Sequence, residues 1–106
     1  MSEKLRMILT ELRQHPAAHY GERLVEVVLF GSQARGEAVE GSDIDVLIVL
    51  RGEVDPSEEI ERTGELVAAL SLKYDVLVST VFVSEDSYLH SQMPLLISVR
   101  REGIRI

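Results

Sequence analysis

The sequence contains no cysteine, and only 5% of its residues are aromatic. Without thiols there is no disulfide framework and no thiolate zinc site, a composition that suits a reducing compartment. Long apolar runs are missing too. None exceeds five residues, far short of the roughly 20 needed to cross a bilayer. The opening stretch, MSEKLRMILTELRQH, intersperses acids and bases where an export signal needs an apolar centre. A cytoplasmic protein, neither exported nor membrane-spanning, is expected. Positive charge is also scarce: 11 Lys and Arg face 18 Asp and Glu, for a formal net charge of -7. That balance opposes direct binding to nucleic acid, whose backbone rewards clustered Lys and Arg. A polyanionic ligand would need metal ions. Neither G-x-S-x-G nor G-x-x-x-x-G-K-[ST] occurs, so the serine-hydrolase elbow and the P-loop fall away.

What remains is an ordinary globular composition, 45% hydrophobic and 27% charged over 106 residues, the length of one domain. Leu5, Ile8, Leu9 and Leu12 recur at helical spacing, and Pro16 is expected to end that helix. Leu24 to Phe30 is rich in β-branched residues and stops at Gly31, which predicts a buried strand. A second strand, DIDVLIVL, turns wholly apolar after its first three residues and must be central in a sheet. Asp55, Pro56 and Glu58 then form a helix start. A third strand is predicted over Asp75 to Val83. A helix opening at Pro94 and ending at Gly103 precedes a short terminal strand.

This order makes a prediction about polar residues. The first two strands are joined only by the segment from Gly31 to Ser42, so Gly31 and Ser32 should meet Asp43 and Asp45. A crossover helix separates the second strand from the third, which favours a parallel pair and brings Asp75 to the same edge. Asp43 and Asp45, two apart on a strand, share a face with Cα atoms about 6.5 to 7 Å apart. Clustered carboxylates raise each other's pKa unless cations bind among them. Magnesium, taking oxygen ligands from one or two carboxylates and substrate phosphates, is the natural candidate. Two such ions clamp the attacking and leaving oxygens of a phosphoryl displacement. Gly31 allows close backbone approach, and Ser32 stands where a short helix would begin, its hydroxyl and the following amides free for phosphate oxygens.

The stretch GSQARGEAVEGSDID, a Gly-Ser pair, ten residues and D-x-D, resembles the signature of the polymerase β-like nucleotidyltransferase superfamily, and its small size resembles the minimal nucleotidyltransferases. The resemblance runs from the first strand to RREGIRI. It implies an α/β (α+β) fold in a single domain, a mixed sheet flanked by helices. It also implies ATP as donor, release of pyrophosphate and a magnesium site, with Gly31 and Ser32 as the phosphate-binding pair, Asp43 and Asp45 as the metal pair and Asp75 as the third carboxylate. For minimal members it further implies pairing with a HEPN-domain RNase toxin, silenced by transfer of AMP to a tyrosine. Two alternatives stay beside that reading. One is a noncatalytic antitoxin that neutralises its partner by occlusion; the other is transfer to a small molecule or RNA.

Other residues carry weaker signals. Arg35 is placed to contact donor phosphates or to pair with Glu37 or Glu40. His15 and His19 have the spacing of a helical metal pair, but a helix broken at Pro16 would separate them. His90 reads as a solvated loop residue. The acidic run from Glu53 to Glu65 reads as a solvated helix face. Arg100, Arg101 and Arg105 are either plain surface or a contact for an acidic partner. A D-x-D glycosyltransferase would need a longer chain for its sugar-nucleotide domain.

Overall fold

The computed structural model describes residues 2–39 and 41–106. Helix α1 spans Glu3–Tyr20, with the Ser2 hydroxyl accepting from the Leu5 amide at 3.1 Å as its N-cap. A 3-10 turn, Gly21–Arg23, leads into β1, Leu24–Phe30. A four-residue helix, α2 (Ser32–Arg35), and a loop connect to β2, Ile44–Leu50. Helix α3 (Pro56–Tyr74) crosses to β3 (Val78–Ser84), followed by α4 (Glu85–His90), α5 (Pro94–Glu102) and the short β4 (Ile104–Arg105). None of the described helices is long and apolar enough to cross a membrane.

The sheet has the order β3-β2-β1-β4, with β2 parallel to β3 and antiparallel to β1. Strand β2 is therefore interior, as its apolar run predicts, and both its faces are covered. Val46, with Val27 and Leu29, packs against Leu5, Ile8, Leu9 and Leu12 of α1 and Leu70 of α3. Leu47, Val49 and Val28 pack on the opposite face against Leu96 and Val99 of α5. Burial on two sides removes the polar alternation that a half-exposed strand would show.

Helix α1 differs from the expected end at Pro16: it continues one turn further. Pro16 lacks the amide that would bond to the Leu12 carbonyl, a defect that costs about 3 kcal/mol in an isolated helix. Here Leu12, Pro16 and Tyr20 form one buried stripe, and packing offsets the lost bond. Tyr20 donates from its hydroxyl to Oε1 of Glu59 at 3.1 Å, and Glu59 is only 3% exposed. One member of the acidic run is thus interior, contrary to the solvated face expected. His15 and His19, now on a continuous helix, share a face.

Candidate functional site

Strand β1 ends because Gly31 turns out of it with φ +74, a conformation other residues rarely adopt. Gly31 also caps α2, whose Arg35 amide bonds back to the Gly31 carbonyl at 3.1 Å. Gly36, with φ +73, closes the little helix, and the Glu37 amide bonds to the Ser32 carbonyl at 3.0 Å. The chain then folds back through a turn in which the Ser42 hydroxyl accepts from the Val39 amide at 2.9 Å. That turn delivers Asp43 and Asp45 to the start of β2.

Phe30 and Asp45 are register partners across β1 and β2. Asp45 alternates with Leu47 and Val49, so its carboxylate emerges on the face covered by α5. The meeting of Gly31 with Asp45 expected from the short connection is present: a Cβ at Gly31 would lie 2.6 Å from Oδ2 of Asp45. Half-burial and, after it, the charge of Asp43 push the Asp45 carboxyl above the usual range, while Arg35 acts in the opposite direction. The structure therefore brings Gly31, Ser32, Asp43 and Asp45 together, with Arg35 close enough for its charge to be felt. Arg35 itself is exposed and pairs with Glu37 at 3.0 Å, one of the two partners expected; Glu40 lies outside the described residues. The guanidinium is raised chiefly by Glu37, with further contributions from Glu102 and Asp45.

Asp75 is placed differently. Strand β3 begins at Val78 rather than at Asp75, and Asp75 caps α3 in the left-handed conformation, φ 51. Asp is among the few side-chain-bearing residues that tolerate this conformation, so a local reason for its presence exists. Pairing of β2 and β3 starts with the Ile44 amide donating to the Leu77 carbonyl at 2.9 Å, and the register position beside Asp45 belongs to Ser79. Among the described residues, no group of three or more His, Cys, Asp or Glu is arranged to hold a metal ion. The expected convergence of three carboxylates becomes a pair. That pair suits a hard divalent cation: two carboxylates at the entrance of β2 repel each other, and phosphate or water oxygens can fill the other positions.

A nucleotidyltransferase domain model matches residues 5–102. The chain belongs to the nucleotidyltransferase domain family. Among relatives, it is 35% identical over 104 residues to "Putative protein adenylyltransferase MJ1305" of Methanocaldococcus jannaschii, covering 93% of this chain and 69% of that one. Among solved structures, a "putative minimal nucleotidyltransferase" superposes with a TM-score of 0.61 at 33% identity, covering 98% of this chain and 94% of the other. A toxin-antitoxin crystallised with AMP-PNP also scores 0.61, at 23% identity, covering 91% of this chain and 69% of that one, and shows the shared fold. The nucleotidyltransferase fold expected from the Gly-Ser and D-x-D spacing is the fold observed.

Several residues near the site gave no sequence signal. Leu95, Ser98 and Glu102 of α5 line a cleft with Phe30, Gly31 and Arg35, although 59 residues of chain separate the two groups. Arg100 is a structural clamp rather than free surface: its guanidinium donates to the carbonyls of Tyr88 at 2.8 Å and Ser91 at 2.6 Å, fixing the turn between α4 and α5. Arg105 pairs with Glu26 at 3.2 Å. His90 is exposed, 3.3 Å from Asp86.

Proposed function

We propose that this nucleotidyltransferase transfers AMP from ATP to a tyrosine hydroxyl of a HEPN-domain toxin and so acts as an antitoxin in the cytoplasm. The carrying observation is the contact between Gly31 and Asp45, which joins the Gly-Ser turn to the D-x-D strand entrance in one site. The named relative supports protein as the acceptor class, and the AMP-PNP complex supports an adenine nucleotide and a toxin partner. Leu89, Met93 and Leu95, on α4, α5 and the turn between them, are 53%, 63% and 41% exposed. Leu95 also lines the cleft beside Gly31, and apolar side chains beside a site suit a protein acceptor.

In this reading the Gly31-Ser32 turn lets triphosphate oxygens approach backbone amides and the Ser32 hydroxyl without steric hindrance. Asp43 and Asp45 would hold magnesium, two ions by the family resemblance, which when bound neutralises charge on the phosphates. The acceptor oxygen bonds to the α-phosphorus, the α–β anhydride bond breaks, pyrophosphate departs with the electron pair, and the hydroxyl proton passes to solvent. Arg35, held by Glu37, adds positive charge at the rim. Asp43 and Asp45 are the carboxylates that serve the reaction, whereas Asp75 caps α3.

The decisive experiment incubates the chain with ATP, magnesium and a cognate toxin, then measures intact mass. A toxin heavier by one AMP is expected. Full neutralisation without ATP and without a mass change would instead establish occlusion.

A further inference from the structure

Beside Gly31 a cleft of about 200 Å³ opens between the end of β1 and one face of α5. Leu95, Ser98 and Glu102 form its helical wall because their spacing of three and four residues stacks them on one side of α5. Phe30, Gly31 and Arg35 also line it, and the Arg35 guanidinium is already engaged by Glu37 at 3.0 Å. The volume is below the ~300 Å³ that bounds complete small-molecule pockets, so the cleft suits one portion of a larger ligand.

The chemistry of the wall indicates which portion. Glu102, when ionised, is an acceptor only, and its charge repels a phosphate. Ser98 can donate or accept. Phe30 and Leu95 offer apolar surface. A compact ring bearing hydroxyl donors satisfies Glu102, Ser98, Phe30 and Leu95, and leaves Arg35 to its partner Glu37. In a nucleotide whose phosphates sit at the Gly31 turn and on magnesium held by Asp43 and Asp45, that ring is the sugar. Acceptance of a ribose hydroxyl by a carboxylate recurs in nucleotide sites of other folds.

We propose that this cleft is the ribose subsite of the donor, with Glu102 accepting a hydrogen bond from the 2′-hydroxyl and Ser98 completing the contact. The chain therefore selects ribonucleoside over 2′-deoxyribonucleoside triphosphates. This inference rests on the nucleotide-binding reading given above. A hydroxyl bonded to an ionised group contributes enough to set ATP and dATP apart by about ten- to a hundred-fold.

Calorimetric titration with ATP and with dATP, each with magnesium, tests it on the wild type, Glu102→Ala and Ser98→Ala. The wild type should bind ATP at least tenfold more tightly. In Glu102→Ala the ratio should fall towards one, with the larger change on ATP, and Ser98→Ala should reduce it partially. Equal wild-type affinities would overturn the ribose subsite while leaving the nucleotide site standing. A Glu102→Ala variant that keeps the wild-type ratio would do the same. Binding of neither nucleotide would overturn both readings.

Discussion

Gly31 stands so close to Asp45 that a methyl group added to its Cα would lie 2.6 Å from Oδ2 of the carboxylate. The phosphate-type turn and the acidic strand entrance are thereby parts of one object. Gly31→Ala should damage that object in two ways, through the contact and through φ +74. Strain of this kind costs about 1 to 3 kcal/mol, so urea unfolding should show a loss of that size, together with weakened binding of magnesium-ATP. Unchanged stability and affinity would mean that the turn relaxes freely.

Asp45→Asn should reveal the repulsion at the carboxylate pair. The Asp45 carboxyl is raised by burial and by Asp43, so its ionised form is less favoured in the folded protein than in the unfolded chain. The resulting penalty is absent below the ordinary carboxyl value of 3.8 and develops as pH rises through the folded value. In chelator at pH 7, Asp45→Asn is therefore expected to melt at or above the wild type, with the advantage vanishing in acid. Saturating magnesium should reverse the order, since a ligand at 100 times its dissociation constant stabilises by about 2.7 kcal/mol. Equal magnesium shifts in both proteins would move the metal elsewhere.

Asp75→Asn separates a two-carboxylate site from a three-carboxylate one. Asparagine also tolerates the left-handed conformation, so the cap of α3 should survive and thermal unfolding should be little changed. Transfer of AMP is expected to stay within about threefold of wild type, well short of the hundredfold or greater loss typical of removing a general base. A folded variant that has lost transfer would restore Asp75 to the chemistry.

Tyr20→Phe tests the clamp between α1 and α3. It deletes the donor to Glu59 at 3.1 Å and leaves a nearly buried carboxylate with Arg62, at 3.6 Å, as its one side-chain partner among the described residues. A buried acceptor stripped of its partner costs about 1 to 3 kcal/mol, measurable in urea. Burial, and after it the charge of Glu59 and the same bond, push the Tyr20 hydroxyl up to about 12. It should therefore resist ionisation in alkaline absorbance titration beyond the range of an ordinary tyrosine.

Local chemistry was enough to read much of this molecule. Leu24 to Phe30, the cap at Asp55 and Pro56, and the helix from Pro94 to Gly103 all declare themselves by periodicity or by residues that only certain backbone conformations accept. The meeting of Gly31 with Asp45 was also legible, because a short connection between consecutive strands leaves their ends few places to go. Tertiary structure decided what depends on distant partners. Pro16 stays helical because its ring is needed in the stripe that buries Tyr20, an energy that no window around Pro16 contains. Asp75 falls outside β3 because the end of α3 and the pairing of Ile44 with Leu77 set where that strand begins. Ser98 and Glu102 reach Gly31 only because α5 packs on β1. Spacing along a chain encodes contacts within an element or across a short turn; contacts made by docking one element on another appear only once the core has formed.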